Sequence, residues 1–309
     1  MQARHTVIFD TDPGVDDTMA IYFALKSDNI RIRSLTTVFG NVPVDLATEN
    51  ALRILEIADR DDIPVFRGAD TPLQSDYGGP VPWIHGDNGQ GNVPLKPPAL
   101  RAQKESAAEH IVAEIMSNPG KITLVGVGPL TNFALALQME PGIAQQVREV
   151  VIMGGNALCP GNATPYAEAN IHNDPEAADL VFAAGWPLTM VGLDVTHKVY
   201  MSNTDLQRFS VIEDPLARHV GAVTEFYRDF FRREVGVEGI YVHDSSAVAF
   251  LLEPSLFRRE LWPVYVDISA SEMRGKTNPL QQETALSRPR TAVCTEVDGD
   301  AVVELLFRQ

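Results

Sequence analysis

Cysteine is nearly absent from this chain: the two residues, Cys159 and Cys294, stand far apart in no motif spacing. A disulfide framework and a cysteine-based zinc site are therefore excluded. Long hydrophobic runs are missing as well. The N-terminal MQARHTVIFD enters an apolar strand without a segment of signal-peptide length, and no later run approaches a membrane span. A soluble, cytoplasmic protein is the expectation. Positive charge is in deficit, with 25 Lys and Arg against 41 Asp and Glu, a formal charge of −16. Such a surface repels phosphate backbones and anionic lipid, so nucleic acid and membranes are poor partners. A neutral small molecule or a metal cation is not disfavoured.

What is present is ordinary globular material, 45% hydrophobic and 21% charged. Short apolar runs alternate with helical patterns. Strands are predicted at Val7–Phe9, Ile32–Val38, Ile122–Val127, Val150–Met153, Leu188–Val191 and Val264–Ile268. Helices are predicted at Asp17–Ser27, Leu46–Ala58, Ser106–Met116, Asn132–Met139 and Pro175–Ala184, and a short strand and helix within Thr291–Phe307. Alternation with strands apolar throughout predicts an α/β fold, an open, mostly parallel central sheet with helices on both faces and a Rossmann-like core. Ligands of such sheets bind outside the carboxyl ends of the strands. Ser75–Pro98, rich in Gly and Pro, and Arg232–Tyr241, with Gly236 and Gly239, read as loops over that edge. With no repeat, low-complexity tract or linker, residues 1–309 read as one domain.

The first strand ends in Asp10-Thr11-Asp12-Pro13-Gly14-Val15-Asp16-Asp17. At about 4 Å and an effective dielectric near 20, each like-charged pair costs roughly 4 kcal/mol, a penalty that a divalent cation removes. Pro13-Gly14 forces a turn that lets carboxylates on either side converge. Helix capping explains one acid here but not four. Oxygen ligands select a hard ion, calcium or magnesium.

DTDPGVDD resembles the N-terminal signature of the inosine-uridine nucleoside hydrolase family. The resemblance continues in order through TTVFGN (Thr36–Asn41), IHGDNG (Ile84–Gly89), VGPLTN (Val127–Asn132) and VVIMGG (Val150–Gly155). GNATPYAEANIHNDPEAA (Gly161–Ala178), GLDVTHK (Gly192–Lys198) and His243-Asp244 follow. It fades after Ser269. The resemblance implies calcium-dependent hydrolysis of the N-glycosidic bond of ribonucleosides by a homodimer or homotetramer. It implies Ca2+ held by Asp12, Asp17, the Val127 carbonyl and Asp244, with Asp12 also the general base. Asp16 and Asn41 would hold the ribose 2′-hydroxyl, and Asn162, Glu168 and Asn170 the 3′- and 5′-hydroxyls. Asp10 would support the metal ligands.

His243, beside Asp244, is expected to assist the leaving nucleobase, and His85 to lie near it, because histidine donates hydrogen bonds or protons near neutral pH. Met153, just after a strand, is placed at the pocket. His5, His110, His172, His197 and His219 read as structural or surface residues. Asp174-Pro175 is an N-cap followed by proline at the first helical position. Ala169 stands where the family often carries an aromatic residue, which would open one wall of the pocket.

Two rivals remain at this point. A haloacid-dehalogenase-like phosphatase also opens with a strand and Asp-x-Asp, here Asp10-Thr11-Asp12, but its Ser/Thr, Lys and late acidic pair have no clear counterparts. A non-catalytic nucleoside-binding protein would keep the metal and ribose contacts, although binding alone needs neither Asp12 as a base nor His243.

Overall fold

In the computed structural model, which describes residues 4–281 and 288–308, eleven strands form a main sheet and a small ribbon. The strands are β1 (His5–Thr11), β2 (Ile30–Thr37), β3 (Val65–Arg67), β4 (Ile122–Gly126), β5 (Glu149–Met153) and β6 (Leu188–Val191). They continue as β7 (Tyr200–Ser202), β8 (Gly239–Tyr241), β9 (Phe257–Val266), β10 (Thr277–Pro279) and β11 (Arg290–Val297). The nine-stranded sheet has the order β10-β9-β11-β6-β5-β4-β1-β2-β3, and β7 and β8 pair apart from it. From β3 to β11 every pairing is parallel, and β9 alone runs antiparallel to both its neighbours.

Parallel strands are covered on both faces, and the core divides accordingly. Val7 and Phe9 of β1 join one apolar cluster, whereas Ile8 joins the other. Val125 and Leu124 of β4 split the same way, as do Val151 and Ile152 of β5. Alternating apolar side chains thus face opposite layers of helices, as expected for strands without a polar face. The helix Asp244–Leu252 is buried at all nine positions and packs against the helix Val15–Lys26.

The strand order reverses at the β1–β4 boundary, since β2 and β3 lie on one side of β1 and β4 to β6 on the other. This topological switch point opens a crevice at the carboxyl ends of β1 and β4. Those ends carry Asp12 and Val127.

Several expectations need correction. The strand placed at Val264–Ile268 begins seven residues earlier, at Phe257, and ends at Val266. Its first half, Phe257-Arg258-Arg259-Glu260, is charged because it lies towards the sheet edge, where alternation is interrupted. Arg232–Tyr241 is not wholly loop: a π-helical turn at Phe231–Val235 continues the helix Pro215–Phe230, and Gly239–Tyr241 is β8. Ser75–Pro98 contains the short helix Pro82–His85. The end of the chain forms β11 and the helix Gly299–Phe307, as anticipated. Among the described residues no helix is long and apolar enough to cross a membrane.

His110 closes the β2–β3 end of the sheet. Its ring stacks on Phe66 at 3.6 Å, and Nε2 lies 2.8 Å from Ser34 Oγ. Burial pushes His110 down to about 4, so it is neutral when folded but titrates near 6.5 when unfolded. Stability is then full above pH 6.5 and falls as the pH drops towards 4. Replacing His110 by Gln should shrink the stability lost between pH 7 and pH 5 by about 1 kcal/mol, after discounting for partial exposure. Denaturant melts at both pH values, at constant metal concentration, check this; an unchanged difference refutes it.

Candidate active site

The chain after β1 is folded around its own carboxylates. Asp17, in the first turn of the helix Val15–Lys26, accepts at Oδ1 from Thr11 Oγ1 (2.5 Å) and the Asp12 amide (3.2 Å). Its Oδ2 accepts from the Gly14 amide (2.9 Å) and Asn41 Nδ2 (3.0 Å). The Pro13-Gly14 turn is thereby pinned from inside. Asp12 Oδ2 accepts from the Asn41 amide at 2.6 Å, while its Oδ1 is buried with no hydrogen-bond partner.

Two glycines give Asp12 its room. A Cβ on Gly40 would stand 2.0 Å from Asp12 Oδ2, and one on Gly128 2.6 Å from Oδ1. Behind the cluster, Asp10 accepts from Thr36 Oγ1 (2.5 Å) and Asn132 Nδ2 (2.7 Å). Asn132 also donates to the Thr37 carbonyl, so Asp10 ties β1 to β2 and to the helix after β4.

Oxygens of Asp16, Asp17 and Asp244 lie within 4.8 Å of one another. Asp16 Oδ1 is buried without a partner; its Oδ2 accepts from Tyr227 Oη at 3.2 Å. Of the expected metal ligands, Asp17 and Asp244 thus come together, but Asp16, expected at the ribose, completes that trio, and Asp12 stands beside it. Burial is the main reason that Asp12 and Asp244 are held well above the usual carboxylate range and that Asp16 and Asp17 are pushed up to about 6. Mutual repulsion adds to the rise at Asp12, Asp17 and Asp244. Desolvated like charges with orphaned oxygens and all-oxygen donors fit a hard divalent cation. The Val127 carbonyl accepts from Asn170 Nδ2 at 2.9 Å and keeps a second lone pair for a ligand.

Two histidines approach this cluster. His85 Nδ1 accepts from the Val15 amide at 3.1 Å, which places its proton on Nε2, and its ring stacks on Tyr227 at 5.5 Å. Burial lowers His85 to about 4 and His243 to about 3, the latter helped by repulsion from His197 and His85. Both imidazoles are therefore neutral near pH 7. His243 Nδ1 pairs with Thr196 Oγ1 at 2.8 Å, and its ring is walled by His197, Tyr241 and Phe231.

The wall at the ends of β4 and β5 is more self-contained than expected. Glu168 is buried, and its carboxylate accepts from the amides of Gly155 (2.8 Å), Asn170 (2.9 Å) and Ile171 (3.2 Å). It caps the short helix Ala169–Asn173. Asn170 Nδ2 bridges the carbonyls of Val127 and Met153, and Met153 is buried in the apolar core. Asn162 is exposed, with Oδ1 accepting from the Ala169 amide at 3.0 Å.

A model of the inosine-uridine preferring nucleoside hydrolase family matches residues 7–304. The chain belongs to that family. This hydrolase is 38% identical over 312 residues to the probable uridine nucleosidase 2 of Arabidopsis thaliana, with 98% of this chain and 97% of the relative covered. It is 36% identical to the pyrimidine-specific ribonucleoside hydrolase RihA of Enterobacter, with 97% and 96% covered. Among solved structures, a plant nucleoside hydrolase superposes with a TM-score of 0.94 at 35% identity, covering 98% of each chain. The purine-preferring ribonucleoside hydrolase of Gardnerella vaginalis superposes at 0.92 and 30% identity, covering 97% and 96%. The protein is thus an N-ribosyl hydrolase that splits ribonucleosides into ribose and free base, and the phosphatase and non-catalytic readings fall away.

Sequence reasoning missed Tyr227, Thr196 and Gln90. Gln90, fully buried, donates to the Gly14 carbonyl (3.2 Å) and to Thr18 Oγ1 (2.9 Å), and pairs with His219 Nε2 at 2.8 Å. The IHGDNG motif lies one residue short of Gln90 and was the available signal. Thr196 stands inside the GLDVTHK motif, which was its signal, and Tyr227 had none.

The glycine cradle carries a prediction. Gly40→Ala should displace Asp12 and lower kcat on the order of 100-fold, the usual cost of a misplacement near 1 Å. Far-UV circular dichroism should stay unchanged, because Gly40 does not need a left-handed backbone. Near-normal turnover in a folded variant would show that Asp12 has slack.

Proposed function

We propose that this enzyme is a calcium-dependent ribonucleoside hydrolase that prefers uridine, with Asp12 as general base and His243 at the leaving nucleobase. The observation that carries this reading is the convergence of Asp16, Asp17 and Asp244 within 4.8 Å beside the orphaned Asp12 Oδ1. Asp12, Asp17, Asp244 and the Val127 carbonyl would hold the cation. When bound, calcium would supply a Lewis acid that makes water more acidic and a positive charge that relieves the carboxylate repulsion. The preference for uridine rests on the names of the relatives, uridine nucleosidases and a pyrimidine-specific hydrolase.

In the reaction, a water oxygen bonds to ribose C1′ as the bond from C1′ to the base nitrogen breaks, through an oxocarbenium-like state. Asp12, gripped at Oδ2 by the Asn41 amide, takes the water proton on its free Oδ1. Asp16 Oδ1 accepts from the ribose 2′-hydroxyl, with Asn41 alongside, and this sets ribosides above 2′-deoxyribosides. Asn162, Glu168 and Asn170 shape the wall near the 3′- and 5′-hydroxyls. Glu168 acts there mainly by fixing the backbone, since three amides occupy its oxygens. Neutral His243 donates a hydrogen bond that spreads the charge left on the base, which then picks up a proton from solvent.

The same reading places one catalytic unit over the whole chain, acting in the cytoplasm as a homodimer or homotetramer. Sedimentation tests the assembly.

Ribose release from uridine, cytidine, inosine and their 2′-deoxy forms, before and after prolonged chelation, tests the reading. Release should be fastest from uridine, fall at least tenfold on chelation and return with calcium. Full activity in chelator would sink the metal dependence, and faster release from inosine the base preference. Asp12→Asn should lower kcat by about 10²- to 10⁴-fold, the range for lost general-base catalysis, with the melting temperature retained. His243→Ala should slow uridine at least tenfold more than p-nitrophenyl riboside, whose leaving group needs no help; equal losses would remove the leaving-group role.

A further inference from the structure

Thr196 and His243 meet from two segments that are laced together. Thr196 ends the short helix Leu193–Thr196, which follows β6. That helix is held by Asp194, whose oxygens accept from the Ala157 and Leu158 amides at 2.7 Å each, and by the Leu193 amide on the Gly155 carbonyl. His243 follows β8, which pairs with β7, and the Val242 amide donates to the Val199 carbonyl at 2.9 Å. Both partners are therefore fixed on backbone before their side chains meet at 2.8 Å.

Thr196 is fully buried, and among the described residues His243 Nδ1 is the acceptor in reach of its hydroxyl hydrogen. If Nδ1 carried the proton instead, the buried Thr196 O–H would be stranded without an acceptor, which is unfavourable. The hydroxyl therefore donates, and the imidazole proton belongs on Nε2. The rings of His197 and Tyr241, edge-on to His243, and the tilted ring of Phe231 limit ring rotation but are blind to which nitrogen bears hydrogen.

We propose that Thr196 is a positioning residue for the hydrolysis: its hydroxyl fixes His243 in the tautomer and orientation that present an Nε2–H donor to the departing nucleobase. This rests on the reading that His243 serves the leaving group. Thr196 acts through His243, the side chain it pairs with. Its effect falls on kcat for nucleosides whose base is a poor leaving group, and not on binding of the ribose.

The test compares Thr196→Val, which keeps the shape and removes the hydroxyl, with Thr196→Ser, His243→Ala and the Val/Ala double variant, all loaded with calcium. Thr196→Val should lower kcat on uridine about tenfold with KM within twofold, and leave p-nitrophenyl riboside within twofold. Thr196→Ser should restore most of the rate, and the double variant should be no slower than His243→Ala alone. Equal losses on both substrates, or an additive loss in the double variant, would overturn the proposal. If His243→Ala discriminates between the substrates and Thr196→Val does not, the proposal fails while the reading of His243 stands. If His243→Ala does not discriminate, both fall. Nitrogen-15 spectra of the unmutated protein give a measure independent of variant folding: an acceptor-type Nδ1 and a protonated Nε2 are expected, and the opposite tautomer refutes the assignment.

Discussion

Like charges crowded out of water at the end of β1 set the terms for the rest of the molecule. Asp10, Asp12, Asp17 and Asp244 are each at most 3% exposed. Burying ionised carboxylates without compensation costs several kcal/mol apiece, so the fold answers each in its own way. Asp17 is wrapped in backbone and side-chain donors, and Asp10 is bridged to two neighbouring elements. Asp12 and Asp16 each keep one oxygen unpaired. Asp10 thus ties strands together, whereas Asp16, Asp17 and Asp244 converge with Asp12 beside them.

The doubly wound sheet makes the crowding possible. At the boundary where the strand order reverses, the ends of β1 and β4 leave a crevice into which loops from both sides converge. The helix Asp244–Leu252, buried along its length, brings Asp244 to the same point from the far end of the sequence. A helix exposed on one face would tolerate small shifts. One packed on all sides holds its first residue to the accuracy of the core around it.

The sequence was most legible where chemistry is local. The carboxylates of residues 10–17 sit on one turn, and their spacing alone argued for a cation. Strands of the parallel core were readable because they are apolar on both faces. The half of β9 near the sheet edge was not, because Arg258, Arg259 and Glu260 break the pattern. Tyr227 escaped notice because 211 residues separate it from Asp16, and a tyrosine within an amphipathic helix looks like packing. Asn170 and Glu168, expected at the ribose, have their polar groups engaged on the backbone, which spacing alone does not reveal. His197, read as structural, is half-buried and packs against His243 and Tyr241.

The long sequence separation within the site has a consequence for how the chain is made. At roughly 5–20 residues per second, the 211 residues between Asp16 and Tyr227 take about 10–40 s to synthesise. Throughout that interval the acidic turn exists without Tyr227 or Asp244, and the helix Val15–Lys26 lacks the buried helix Asp244–Leu252 that packs against it. The acidic turn is therefore made long before the residues that complete the site around it.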